Sequence, residues 1–277
     1  MHRYLQFIVS IIFLAGFTAC KTSNIGQSAS ACRWMQHSAE YDALATSVYY
    51  SAISHLPQAV EDSFWTAAPH HQKMDFYKLP PAVILDVDAT VLDNSAYFAR
   101  KIEENSNVDT GDWHHWVKQT EARPVPGGPE FTRIASRLGV TVFYVTNRDV
   151  SVEEATRKNL AELGFPLDRN KDVILSKNEK EGWTADKSAR RDYIAHDYRI
   201  VMIVGDDLGD FISTEGMGLK EQKKMIREKA TDWGRKWFML PNPVYGPWNQ
   251  GRDQLEEKRR EEGRPVAPVA GPEIIAE

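Results

Sequence analysis

The stretch "VILDVDATVLDNSAY", residues 83–97, holds a contradiction that decides the fold. Its first half is the apolar run of a strand covered on both faces, the kind found in the middle of a parallel sheet. Yet it contains two carboxylates, Asp86 and Asp88. An unpaired carboxylate buried in such a strand costs several kcal/mol. Strand side chains alternate, so residues two apart share a face and both carboxylates are expected in one small volume. Like charges that close repel unless something positive lies between them.

On either side of this stretch the chain alternates strand and helix. Further strands are predicted at "GVTVFYVTN" from Gly139, "DVILS" from Asp172, "RIVMIVGDD" from Arg199 and "KWFMLPN" from Lys236. Helical segments fall at about 151–163, at about 185–196 and ahead of the last strand. This order implies an α/β fold, a parallel sheet flanked by helices with right-handed crossovers. "CRWMQHSAEYDALATSVYYSAISHL" has apolar residues at helical spacing and predicts one or two helices before the sheet. A polar and aromatic insert from Phe98 to Arg123 follows the first strand, and would lie above the carboxyl ends where such sheets bind ligands.

Composition narrows the class. At 277 residues, 42% hydrophobic and 26% charged, the chain has the material for one large α/β domain with additions. A net charge of −5 without a basic stripe argues against a nucleic-acid polymer as partner.

The first twenty residues, "MHRYLQFIVSIIFLAGFTAC", place one firm positive charge ahead of an apolar stretch and small residues, which predicts a secretory signal. "LAGFTAC" resembles a bacterial lipobox, with Phe17 where that motif usually has Leu. It implies that Cys20 carries lipid and anchors an exported lipoprotein to the outer membrane or facing the periplasm, a soluble exported form being the alternative. Cys32 then stands alone, so the fold rests on its core rather than on a disulfide. Residues 21–30 are polar and small and suit a flexible tether, residues 31–250 form the domain, and 251–277 are a charged, Pro-rich tail.

Polar residues break the apolar runs at one edge of the sheet. Strand one ends in Asp86, Asp88 and Thr90, strand two in Thr146, Asn147 and Arg148, and strand four in "GDDLGD", with Asp206, Asp207 and Asp210. Lys187 opens the helix between the third and fourth strands and can reach the same edge. Carboxylates, a lysine and a hydroxyl converging there make a site for a hard metal and a phosphate.

The order D-x-D-x-T, hydrophobic run then T-N, K, and G-D-x-x-x-D resembles the haloacid dehalogenase (HAD) superfamily of phosphohydrolases. "LDNSAY", "GDWHHWV", "RPVPGGPEF", "VFYVTNR" and "FMLPNPVYGPW" resemble, more closely, the class C, lipoprotein-type bacterial acid phosphatases, over most of residues 32–249. The resemblance implies a HAD-like Rossmannoid sheet with a small helical cap, built from the N-terminal helices at about 31–70 and the insert at about 95–125. It implies an enzyme that hydrolyses small-molecule phosphomonoesters at acid pH through an aspartyl phosphate. Asp86 is then the nucleophile and Asp88 the general acid and base. Thr146, Asn147 and Lys187 hold the phosphoryl oxygens, and Arg148 binds substrate or pins a loop. Mg²⁺ is held by Asp86, Asp88 through its carbonyl, and Asp206, with Asp210 orienting its shell. Where the family usually has Glu after the second Asp, this chain has Ala89, whose side chain is expected to point away.

Trp113 and Trp116, three apart, would share a helix face, and Tyr245 follows the last strand above the same edge. On their own they read as packing residues. The resemblance makes Trp113 and Tyr245 a clamp for the leaving group of nucleoside 5′-monophosphates and aryl phosphates. Asp207 reads as a turn residue, and the pairs His70–His71 and His114–His115 as surface residues rather than ligands. A phosphotransferase using the same intermediate, and a non-catalytic anchored phosphate-ester-binding lipoprotein, are the alternatives; oligomerisation stays open.

Overall fold

The computed structural model describes residues 22–106 and 108–248. The expected signal segment with Cys20, the first tether residue, the last two residues of the expected domain and the charged tail at 251–277 lie outside the described residues. In chain order the elements are α1 (Thr22–His37), α2 (Ala39–Glu61), β1 (Pro81–Leu85), β2 (Leu92–Asp93), α3 (Ser95–Glu103), α4 (Thr110–Gln119), β3 (Arg123–Pro124) and α5 (Gly128–Arg137). There follow β4 (Thr141–Asp149), α6 (Glu153–Glu162), β5 (Ile174–Lys177), α7 (Ser188–Asp197), β6 (Arg199–Gly205), α8 (Leu219–Glu228) and β7 (Trp237–Met239).

The unalternating apolar runs form one five-stranded parallel sheet in the order β5-β4-β1-β6-β7. β1 is central, and Leu85 registers with Tyr144 of β4 and Val204 of β6. Every residue of β6 is buried, as the apolar run predicts for a strand covered on both faces. The chain runs outward from β1 through β4 to β5, then returns to β6 on the other side. That reversal opens a crevice at the carboxyl ends beside β1. The expected α/β sheet with flanking helices is the observed fold.

The N-terminal helices divide between two jobs. Ser38 caps α2, its hydroxyl accepting from the Tyr41 N–H at 3.1 Å, and so separates α2 from α1. α2 packs on α5, β6 and β7 and belongs to the sheet layer, whereas α1 packs on α3 above the sheet. Cys32, Met35, Tyr41 and Val244 make a small core of their own there, with Phe98 and Tyr245 against it. The Cys32 thiol, 2% exposed and without a disulfide partner among the described residues, donates to the Ser95 carbonyl. α1 begins at Thr22, inside the segment whose composition suits a tether; its polar residues continue the helix that the buried Cys32 and Met35 anchor. β2 and β3 pair antiparallel, Leu92 with Pro124 and Asp93 with Arg123, at the foot of the insert. Among the described residues no helix is long and apolar enough to cross a membrane.

Candidate active site

β1 stops at Leu85, one residue before Asp86. The chain then turns, with Ala89 in the left-handed region at φ 56° and its N–H donating to the Leu92 carbonyl at 2.8 Å. Strand alternation therefore does not gather the aspartates; the turn does, and it gives each its own partner. Asp86, 7% exposed, meets the ammonium of Lys187. Asp88 accepts from Arg148 Nη2 at 2.8 Å and Nε at 3.0 Å, and from Asn94 Nδ2 at 2.7 Å. Two protein cations thus separate charges that the sequence left to a metal alone.

After β6 a tight turn presents the remaining acids. Asp207 accepts from the Gly209 N–H at 2.8 Å and locks a short 3₁₀ turn, so it has a structural task there. Asp210 Oδ2 accepts from the main-chain N–H groups of Asp206 and Asp207 at 3.2 and 3.0 Å, while its Oδ1 takes Lys187 Nζ at 2.6 Å. Asp206 accepts from the Thr90 hydroxyl at 3.3 Å and from Asn242 Nδ2 at 2.8 Å. Burial, then the charges of Asp210 and Asp88, push Asp86 up to about 7 against the pull of Lys187. Burial and the charges of Asp86 and Asp210 raise Asp206 well above the carboxylate range. Burial works against the Lys187 ammonium, yet Asp210 and Asp86 hold it up at about 12.

Asp86, Asp206 and Asp210 each offer a carboxylate oxygen, and these atoms lie within 4.8 Å of one another. Fully ionised, Asp86, Asp88, Asp206 and Asp210 would carry four negative charges, with Lys187 and Arg148 the two cations that pair with them among the described residues. The difference of two, on oxygen-only donors, fits a divalent hard cation.

At the end of β4, Thr146 is fully buried and its hydroxyl accepts from the Arg148 N–H at 3.0 Å. Asn147 reaches the cavity with its amide held at both ends: Nδ2 donates to the Ala185 carbonyl at 3.0 Å and Oδ1 accepts from Arg190 at 2.8 Å. Arg148 is 2% exposed, and besides Asp88 it donates to Thr156 Oγ1 at 3.1 Å. Its guanidinium holds Asp88 and its loop more than it faces incoming substrate.

Asp86, Asp88, Asn147, Arg148, Lys187, Asp206 and Asp210, but not the buried Thr146, floor a cavity of about 530 Å³ whose opposite wall is aromatic, formed by Phe98, Trp113 and Tyr245. Tyr245 stacks on Phe98 at 4.4 Å and 21°, and Trp113 lies 6.3 Å from Phe98. Trp113 and Trp116 do not act together. Trp116 is 5% exposed and donates to Asn94 Oδ1 at 3.0 Å, while only Trp113 reaches the cavity. His71 bonds Asp192 at 2.6 Å and His115 bonds Gln119, and among the described residues no histidine joins the acidic cluster.

The sequence model of a family described as HAD superfamily, subfamily IIIB (Acid phosphatase) matches residues 13–248. The chain belongs to this family. The structure of this subfamily IIIB chain superposes on the crystal structure of a class C acid phosphatase from Bacillus anthracis with tungstate bound, at a TM-score of 0.74 and 26% identity. The match covers 88% of this chain and 98% of that one. A second structure of the class C acid phosphatase from Bacillus anthracis gives 0.71 and 27%, with the same coverage. Vegetative storage protein 1 of Arabidopsis thaliana is 26% identical over 167 residues, 58% of this chain and 54% of that protein. The chain therefore spans about half the length of this curated relative. The resemblance drawn from the motifs, and the phosphomonoester hydrolase class it implies, agree with this membership.

Three residues of the subfamily IIIB site were not assigned from sequence. Phe98 opens the insert, and its spacing from the motifs carried no signal. Asn242 lies inside the quoted "FMLPNPVYGPW", where a polar residue just past a strand end was the available clue. Arg190 lies three residues after Lys187, a spacing that puts both on one helix face.

Proposed function

We propose that this chain is a Mg²⁺-dependent acid phosphatase acting on phosphomonoesters, nucleoside 5′-monophosphates and aryl phosphates above all. The observation that supports it best is Asp86, a buried carboxylate held by Lys187 beside two further acids and open to a cavity with an aromatic wall. Asp86 attacks phosphorus; the ester P–O bond breaks and the leaving oxygen takes a proton from Asp88. Water then attacks the aspartyl phosphate, Asp88 takes its proton back, and inorganic phosphate leaves with Asp86 restored. Arg148 and Asn94 keep Asp88 aimed at the leaving group. Mg²⁺ would be held by Asp86, Asp206 and the Asp88 carbonyl, and would neutralise charge on the transferring group and its nucleophile. Asp210, engaged by Lys187 and two main-chain N–H groups, orients that arrangement. The aromatic wall favours flat leaving groups, which gain about 1–3 kcal/mol from stacking.

We also infer that the chain is exported and held at a membrane by lipid on Cys20. The enzymatic reading is tested with p-nitrophenyl phosphate at acid pH. Turnover should require added Mg²⁺ after chelation, and Asp86→Asn should fold yet lose activity by more than about a thousandfold. Full turnover by the chelated protein, or a tenth of the wild-type rate in Asp86→Asn, would overturn it.

A further inference from the structure

Lys187, Arg190 and Arg191 stand at i, i+3 and i+4 around the start of α7, so their side chains share one face of the helix. All three are buried beneath the cavity. Arg191 donates to the Gly209 and Asp210 carbonyls at 3.0 and 2.9 Å and to the Ser188 hydroxyl at 2.9 Å. Arg190 turns the other way. Its Nη1 donates to the Thr146 carbonyl, and its Nη2 to Asn147 Oδ1 at 2.8 Å and to the Thr184 carbonyl at 2.7 Å. None of these acceptors is a carboxylate, and Arg190 Nε has no hydrogen-bond partner. Arg199 is buried among neutral acceptors in the same way, so burial does not single Arg190 out; its bond to a side chain that lines the cavity does.

The chemistry of the Asn147 amide gives that bond a consequence. A primary amide has one acceptor end and two N–H donors. Because Arg190 can only donate, it compels Oδ1 to face it and turns Nδ2 the other way. One Nδ2 hydrogen goes to the Ala185 carbonyl, and the second remains for the cavity that Asn147 lines. Without Arg190 only the Ala185 carbonyl opposes a flip of the amide that would present an oxygen to the anionic phosphoryl group and replace attraction with repulsion.

We propose that Arg190 is a positioning residue for phosphoryl transfer, fixing the polarity of the Asn147 amide so that it donates to the transferring phosphoryl oxygens. The interaction grows as negative charge gathers in the transition state, so its loss falls on kcat more than on KM. Because Arg190 is assigned here to the phosphohydrolase chemistry proposed above, the test separates the two. Turnover of p-nitrophenyl phosphate at saturating Mg²⁺ is measured for wild type, Arg190→Lys, Asn147→Asp and, as control, Arg199→Lys, each with its melting temperature. Arg199 is also buried and donates to the Ala59, Asp62, Trp65 and Val60 carbonyls, but at the opposite end of β6.

Arg190→Lys also only donates, but its single ammonium cannot span the Thr146 and Thr184 carbonyls and Asn147 Oδ1 as the planar fork does, so it is expected to lower kcat by about a hundredfold with KM changed less than about threefold. Asn147→Asp keeps an acceptor for Arg190 but loses the donor, and is expected to fold normally with at least as large a loss. Arg199→Lys should melt earlier and keep the wild-type kcat per folded molecule. Wild-type kcat in a folded Arg190→Lys protein, or in Asn147→Asp should Arg190→Lys not fold, overturns the proposal while leaving the phosphatase reading intact. An equal loss of kcat in Arg199→Lys also overturns it, since burial of any arginine would then explain the effect. Absence of turnover in the wild type overturns the phosphatase reading itself, and this proposal with it.

Discussion

Gly205, the last residue of β6, is constrained by space. A Cβ there would lie 2.2 Å from Asp210 Oδ2 and 2.5 Å from Asp210 Cβ. Asp210 in turn joins Lys187 to the N–H groups of Asp206 and Asp207, so one methyl group unseats the whole acidic turn. Gly205→Ala is expected to lower kcat about a hundredfold or more and to raise the Mg²⁺ concentration for half-maximal rate, with an unchanged circular dichroism spectrum. Wild-type kinetics in that variant would mean that the turn can slide aside. Asp86 supplies a second test. Its pKa is raised from the ordinary value near 3.8 to about 7, so the folded protein without metal binds a proton that the unfolded chain has released. A raised pKa contributes stability that is present below about pH 4 and lost as pH climbs through about 7. The metal-free protein is therefore expected to lose melting temperature over that interval, and Asp86→Asn to remove much of the slope. A wild-type profile flat between pH 4 and 7 contradicts this.

At the scale of elements, the aromatic wall is assembled from three places: α3 brings Phe98, α4 brings Trp113 and the segment after β7 brings Tyr245. Because Phe98 and Tyr245 stack, removing either loosens the other. Phe98→Ala, Trp113→Ala and Tyr245→Ala are each expected to raise KM for nucleoside monophosphates and aryl phosphates several-fold more than for a small aliphatic phosphate. In a double-mutant cycle, Phe98 and Tyr245, stacked at 4.4 Å, should be coupled more strongly than Phe98 and Trp113 at 6.3 Å. Equal losses on both substrate classes would make the rings packing residues. The acidic residues were legible in sequence because carboxylates at the ends of apolar strands have few bland explanations. Their partners were less so. Nothing local to Asp88 announces that Arg148, sixty positions away, will hold it, because that contact exists only once β1 and β4 pair. Phe98 was invisible for the same reason: an aromatic residue in an amphipathic helix reads as packing until the neighbour it stacks on is known.

For the molecule as a whole, the parallel sheet followed from the alternation of apolar runs and helical spacers, and the gathering of the acidic residues at one edge followed from the strand ends, whereas the strand order is read from the structure alone. The division of the N-terminal helices did not, because periodicity shows that a helix has an apolar face but not which surface covers it. The proposed anchor belongs to this scale too. Wild-type protein made in a bacterial host is expected in the membrane fraction, and Cys20→Ser is expected either in the soluble fraction or unprocessed, with turnover per folded molecule unchanged. Equal partitioning of both forms would refute lipidation and leave the enzyme reading untouched. The small antiparallel clasp of β2 and β3 has an evolutionary consequence. It closes the two ends of the insert against each other beside Asn94, so the chain between them leaves and rejoins the fold at one place and forms a cassette, which rests on α1 and α6 by packing. Phe98 and Trp113 travel on that cassette, whereas Asp86, Lys187, Asp206 and Asp210 stay on the chassis beneath. Descendants of such a chain can exchange the cassette and change diet, keeping the chemistry they inherited.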